Sequence, residues 1–423
     1  MKTLKFVCSS LLVIMGILPG TRGEPFRTDI NPALLYYQAM LVASEPLSDA
    51  DRNYLESKKG LEQKLPERFG QIVAASDNQF RLVRQAAHAT VPCDWGLDMS
   101  AGPNMLLPHL GRARAICRTA QLRVAWALQH GRQTEARDDL VAAFVLGRNC
   151  GSGNLLINAL VQNSIEGMIY GTVAYHFGEF SPETLKQLVE GFDAAPAPCT
   201  IAACMPSEKA LGDWALTKLL KLQKAHPGDD AQVMAAYRDS GLVTALSSVG
   251  YTNFWPKLVT ASGGTSEGVL KLLRETEPLF PRLAEILALP QPEYEIQAKQ
   301  FSTDVRISQN PFWFTFNVFT GWDLGGPRVP PRATEFRAQA QLAMVRAAVE
   351  YRLHGESGLK SVMDPFGNGP FSFRRFVFKG VDRGFELKSA YASAAAPFVI
   401  IFVEKQGPPF QIGGPDAGKA VEK

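Results

Sequence analysis

The sequence predicts a mainly α fold, with antiparallel helical hairpins arranged as an array or irregular bundle. A small α+β unit, a long helix followed by a short antiparallel sheet, closes the chain. Three observations carry this expectation. Apolar residues recur at three- and four-residue steps between Leu107 and Asn149, the period of a one-sided helix. Similar runs, separated by short breaks at Pro, Gly or capping residues, continue to about Asn310. Beyond the Gly/Pro-rich stretch Gly325 to Pro331 the pattern changes to one long helical run and then short β-type runs.

Asn31-Pro32 opens the first helix, with Asn as N-cap and Pro at the first helical position, and the helix runs to about Val42. Ser48 and Asp51 have the spacing of a capping box. Pro66 opens a third helix that reaches His88. The hairpin follows. Leu110, Ala113, Cys117, Ala120 and Val124 share one face, Gly131 ends that helix, and Thr134 caps the next. Glu135, Asp138 and Asp139 suit the positive N-terminal end of the second helix, and Ala136, Leu140, Ala143 and Gly147 form its inner stripe. Further helices are expected at Gly153 to His176, from Ser181-Pro182 to about Asp193, and at Ser207 to Ala225, Ala231 to Leu246, Pro278 to Leu289 and Pro292 to Gln309. A Pro-rich break at Ala194 to Pro206 carries Cys199 and Cys204. Phe312, Trp313, Phe314, Phe316, Phe319 and Trp322 form an aromatic cluster that suits a packed seam between two units. The long helix covers Thr334 to about Leu353, and strands are expected at Phe371 to Phe378, Phe385 to Ser389 and Phe398 to Val403. Phe371 and Phe373 have one parity and Phe376 and Phe378 the other, which asks for a bulge or a break near Arg374-Arg375.

The domain division is a signal peptide at 1–23, a helical domain at 24–310, a connector at 311–331, the α+β unit at 332–405 and a disordered tail at 406–423. Lys2 and Lys5 precede the apolar run Phe6 to Leu18, and Thr21-Arg22-Gly23 places small residues at a cleavage site near Gly23. The protein is therefore expected to be exported, periplasmic or extracellular, with no membrane span after the signal is removed. Lys2, Lys5 and Arg22 account for the formal charge of +3, so the mature chain is neutral and has no field to collect nucleic acid. Five cysteines remain, and Cys199 with Cys204 is the pair most easily closed into a disulfide. Their spacing matches no zinc pattern, and no two of the six histidines stand four residues apart. No metal and no cofactor is expected.

No short catalytic signature is present; Ser357 and Lys360 fit Ser-x-x-Lys but lack its companion motifs. Catalytic candidates are therefore carboxylates in unusual settings. Asp94 and Asp98 flank Trp95-Gly96 just ahead of a helix carrying Arg112, Arg114, Arg118 and Arg123. As a site, these acids would be polar groups in a pocket, Trp95 a stacking wall, and Arg112, Arg114 and Arg118 ligand contacts. As structure, they are a pinned loop whose carboxylates accept from arginines or backbone amides. Glu166 is the only acid between Gly151 and Phe177, so it is either a raised-pKa general acid or the buried partner of Arg148 or Arg123. The structural reading is the simpler in each case.

Two resemblances add to this. The join from Ala127 to Ala136 is similar to the inter-helix turn of a tetratricopeptide repeat, but it does not recur, so it implies local geometry and no solenoid. Phe336 to Tyr351, then Asp364-Pro365-Phe366-Gly367-Asn368-Gly369-Pro370-Phe371, then Gly384 to Leu387, resembles the globular head of type II secretion pseudopilins. The pseudopilin N-terminal assembly helix is missing, Gly369 splits the turn motif, and Ser389 to Ala396 lacks the acidic calcium loop. The resemblance thus implies a fold fragment without assembly role or calcium site. Together with Cys93 to Asp98 and the Gly131-Arg132 turn, the layout resembles uncharacterised exported bacterial helical proteins, a family that supplies no activity. The favoured expectation is a non-catalytic exported scaffold that binds a protein or a cell-envelope glycan. The alternative is an α-helical hydrolase or lyase acting on polysaccharide or peptidoglycan through Asp94, Asp98 or Glu166.

Overall fold

The computed structural model describes residues 29–43, 48, 50–51, 64–248, 251, 253–321, 329–393 and 396–405. The expected signal segment, the tail from 406 and most of the Gly/Pro connector lie outside the described residues. Among the described residues the chain forms 17 α-helices and one three-stranded antiparallel sheet, so the mainly α expectation with a small C-terminal α+β unit is met. No helix among them is long and apolar enough to cross a membrane.

Helix α1 (Pro32–Leu41) starts as its sequence asks, with the Asn31 side chain accepting from Ala33 N. The Ser48–Asp51 box also forms, Asp51 N donating to Ser48 Oγ at 3.1 Å. The single helix expected from Pro66 to His88 is two, α2 (Arg68–Ala75) and α3 (Asp77–Ala87), broken at Ser76. The cause is tertiary: Ser76 Oγ and Val73 O both accept from the buried Arg123 guanidinium, each at 2.9 Å.

The hairpin is α4 (Pro108–Gln129) and α5 (Gln133–Cys150), turned at Gly131 with φ +72°. Every residue of both expected stripes is buried. Thr134 is not the cap: α5 begins one residue before it, with Arg132 at the N-cap position, held by its ion pair to Glu135 at 2.9 Å. Helix α6 (Leu156–Tyr175) packs on α4 and α5. It starts later than expected because Gly151–Gly153 makes a 3₁₀ turn and Asn154 is left-handed at φ +51°. Helix α7 (Pro182–Asp193) is capped by Ser181, whose Oγ accepts from Thr184 N.

A second group comprises α8 (Met205–Ala225), α9 (Asp230–Arg238), α10 (Leu242–Ser248), α11 (Phe254–Ala261), α12 (Ser266–Arg274), α13 (Leu279–Ala288), α14 (Gln291–Ile307) and the short α15 (Asn317–Thr320). Phe312 enters the cluster around Leu219, Tyr237 and Leu258. Phe316 and Phe319 instead share a cluster with Phe301 of α14 and with Phe336 and Tyr391 of the C-terminal unit.

Helix α16 (Pro331–His354) leads through α17 (Glu356–Ser361) to β1 (Ser372–Phe378), β2 (Val381–Ser393) and β3 (Ala396–Val403), in sheet order β1-β2-β3. Asp364 anchors the intervening turn, its carboxylate accepting from Phe366 N, Ser389 Oγ and Ala390 N. The irregularity expected near Arg374-Arg375 lies elsewhere. Phe376 pairs with Gly384 and Val377 with Asp382, so the extra residue is Arg383 of β2. Phe376 and Phe378 stack on each other at 6.3 Å, on the face opposite Phe373. One buried cluster joins the helical hairpin to this unit: Ile165 and Phe177 lie with Met344 and Val345 of α16 and with Phe385 and Phe402 of the sheet.

Candidate functional site

The main candidate site among the described residues is a cleft of about 780 Å³ between the end of α3 with the loop to Cys93, the outer face of α5, the Gly151 to Asn154 turn, α7 and the Pro-rich loop after it. Its walls include Ala87, Val91, Val141, Val145, Ala194 and Pro196. Its polar groups are His88, Arg137, Asp138, Arg148, Asn149, Ser152, Asn154 and Gln187. None of the three candidate acids, Asp94, Asp98 and Glu166, lines it.

Asp94 and Asp98 are exposed and do local work. Asp94 Oδ1 accepts from Gly96 N at 2.9 Å, and its backbone is tied to Asn31 in both directions. Asp98 Oδ1 accepts from Ser100 N at 2.9 Å and from Ser100 Oγ at 2.6 Å, capping a 3₁₀ turn and holding the carboxyl below its usual range. Trp95 is buried, stacked between His109 at 4.4 Å and Tyr36 at 5.7 Å, with Nε1 donating to Asn149 O at 2.7 Å. It offers no face to a ligand, but it fixes the end of α5 where Asn149 meets the cleft. Arg112, Arg114 and Arg118 are exposed on α4, away from the cleft, and form no ion pair among the described residues. Of the two donors expected for Asp94 and Asp98, arginines or backbone amides, it is backbone amides, with Ser100 Oγ, that fill the role. Ser357 and Lys360 are likewise exposed: Ser357 Oγ donates to His354 O and Lys360 pairs with Glu356.

Glu166 is paired with Arg148, one of the two partners expected for it. Arg148 Nε lies 3.0 Å from Glu166 Oε1, but its N–H does not lie along that line, so this is an ion contact without an aligned hydrogen bond. Tyr170 Oη donates to Glu166 Oε2 at 3.3 Å. Burial is the main influence on the carboxyl and raises it to about 7; Arg148, Tyr170 and Gln162 pull it down, and Glu335 of α16 pushes it up slightly. Glu335 is itself held by Arg332 and by Ile201 N. Glu166 thus sits behind Arg148, and the guanidinium separates it from the cleft.

The floor is tightly built. A Cβ on Gly151 would lie 2.2 Å from Gln162 Oε1 and 2.8 Å from Cys199 Cβ, so only glycine fits there. Cys199 N donates to Gln162 Oε1 at 3.0 Å, fixing the Pro-rich loop to α6. At the N-terminus of α6, Leu156 N donates to Glu208 Oε1 at 2.7 Å, so the chain's own carboxylate occupies that end of the helix. The expected Cys199–Cys204 disulfide is not formed. Their Sγ atoms are 3.6 Å apart against about 2.05 Å for a bond, and both lie against Thr200 O as thiols. Cys93, Cys117 and Cys150 are also free and buried, and burial raises the thiols of Cys93 and Cys117 to about 12. Among the described residues no group of three His, Cys, Asp or Glu is placed to hold a metal.

Sequence reading missed the cleft because its lining is drawn from Pro32 to Ala203. The usable signal was Arg148, a lone cation within the otherwise uncharged run Leu140 to Cys150. No protein-family profile, curated protein or solved structure matches the chain.

Proposed function

We propose that the protein is a non-catalytic, exported binding protein of the cell envelope whose ligand occupies the cleft over α5. The observation that carries this reading is the pairing of a roomy, mostly apolar cleft with the way the candidate acids are used. The volume of about 780 Å³ falls in the range of small-ligand sites. A hydrolase or lyase needs two titratable groups converging on open space. Asp94 and Asp98 are spent on backbone caps, and Glu166 faces Arg148 from behind. The one carboxylate that lines the cleft, Asp138, is ion-paired to Arg137 at 2.7 Å. Export rests on the apolar run Phe6 to Leu18. The pseudopilin-like reading of 332–405 contributes shape only, a helix and sheet that close the core beneath the binding face.

A thermal-shift screen of the mature chain against peptides and envelope glycans tests this, because a ligand of the native state raises Tm by mass action. Ala194 is an exposed residue of the cleft wall, so Ala194→Trp should fold normally and block the cleft. The expected result is a shift in the wild type that Ala194→Trp abolishes and Asp94→Asn retains. Turnover of a glycan that disappears in Glu166→Gln would replace the binding reading with the hydrolase or lyase.

A further inference from the structure

Arg148 stands out among the groups that line the cleft. It is 7% exposed, so its guanidinium is almost fully withdrawn from water, yet it borders the cleft. A guanidinium carries several N–H donors in a fixed fork. Among the described residues Arg148 meets only the off-line Glu166 contact, the neighbouring Tyr170 hydroxyl and the face of the Phe144 ring at 4.9 Å. Nε is buried without an aligned acceptor, and beyond Tyr170 no acceptor among the described residues meets the rest of the fork. A buried donor left unmade costs more than an exposed one, and the apolar walls strengthen any charge pair formed there.

The charges around it give the sign of the missing partner. Arg137 and Asp138 cancel each other at the rim, with Gln187 also accepting from Arg137. Behind Arg148 stand Glu166, Tyr170 and Gln162 of α6, and beyond them the mutually paired Arg332 and Glu335 of α16. Whenever Glu166 holds a proton, Arg148 is left without a counter-charge, and His88 is a further basic side chain on the lining. Elsewhere on the lining, Ala197 sits between two prolines that have no N–H, and its own N–H has no acceptor among the described residues.

Building on the cleft reading above, we infer that the cleft takes a ligand bearing a carboxylate on a short, small-side-chain apolar body, with the carboxylate received by Arg148. Two sources share this chemistry, the free C-terminus of a peptide and a small aliphatic acid. Arg148 would meet the carboxylate through its fork of donors, and the wall of Ala, Val and Pro would accept the apolar part. The incoming anion competes with Glu166 for the same cation, so occupancy favours proton uptake by Glu166 and binding is tighter at acid pH.

The test is calorimetric titration of the mature chain with N-acetyl-trialanine as free acid and as C-terminal amide, and with hexanoate, at mildly acid and mildly alkaline pH. The free acid is expected to bind at least about tenfold more tightly than the amide. Arg148→Met should abolish that preference, and Glu166→Gln should keep it while removing its pH dependence. Retained binding of the amide by Arg148→Met guards against a folding defect, and Ala194→Trp should block every probe. Acid and amide binding equally, with Ala194→Trp blocking both, would overturn the carboxylate inference and leave the cleft reading standing. Absence of binding by all three probes would overturn both. A preference confined to hexanoate would assign the small acid as source, and one confined to the tripeptide the C-terminus.

Discussion

Two arginines are buried in the same hairpin, and they are used in opposite ways. Arg123 of α4 is 1% exposed and saturated: Nε donates to Asp139 at 2.7 Å, Nη1 to Val73 O, Ser76 Oγ and Asp77, and Nη2 to Glu135 at 3.4 Å. Arg148 of α5 is nearly as buried but has one carboxylate, poorly aligned. Both border a cavity, since a groove of about 720 Å³ opens over Arg123. A buried cation satisfied on every side organises a fold, whereas one with donors to spare facing open space is available to a ligand. The difference lies in the number of acceptors supplied by neighbouring elements, and burial alone does not reveal it.

Removing each cation should show the contrast. Arg123→Met strands Asp139, which is fully buried, and also frees the Ser76 break; a loss of about 3–5 kcal/mol is expected in denaturant unfolding. A loss below about 1 kcal/mol would mean that Arg84, 3.5 Å from Asp139, replaces it.

The second test uses pH. Glu166 titrates near 7 in the native state against 4.5 ordinarily, so between these values the native state binds more protons than the unfolded chain. This group's contribution therefore falls as pH rises through that window, by on the order of 3 kcal/mol. His109 acts in the opposite sense. Buried with both ring nitrogens unpartnered, it titrates near 4 instead of 6.5, so its contribution is lost as pH falls through that range. The two slopes overlap and largely cancel in the wild type. Unfolding of Glu166→Gln beside the wild type isolates the first: the variant should be the more stable at pH 8, with the gap closing towards pH 4.5. A constant gap would show that Glu166 stays ionised throughout.

Arg148→Met should cost less than Arg123→Met, roughly 1–2 kcal/mol, because it breaks one misaligned ion contact where Arg123→Met empties a saturated set of hydrogen bonds. Equal losses in thermal unfolding would erase the distinction between the two sites. The smallest effect concerns the acids that looked functional. Asp98→Ala removes only an exposed 3₁₀ cap, so stability should fall slightly and cleft binding should stay unchanged. A loss of binding would return that loop to the site.

What could be read from the sequence was whatever depends on spacing within one element. The stripes from Leu110 to Val124 and from Ala136 to Gly147 are local periodicities, and the structure buries every member. Asn31 and Ser181 cap their helices because capping needs only the next few amides. Misreadings came where a distant group intervenes. Ser76 breaks a helix to meet Arg123, which belongs to another element. The sheet irregularity went to Arg383 because register is decided by the pair of strands, so the parity of β1 alone was misleading. The Glu166–Arg148 pair was foreseeable as a burial problem needing a cation, but which side of Arg148 would stay open depends on four other segments.

The seam between α6 and the last strand has a consequence for how the chain matures. Phe177 packs against Phe385 and Phe402, and Gly178 N donates to Val403 O, with no room for a Cβ between Gly178 and Glu404 O. A segment from the middle of the chain therefore waits for residues made near its end. Helices can form as they emerge during synthesis, but the central apolar pocket stays open until β2 and β3 arrive.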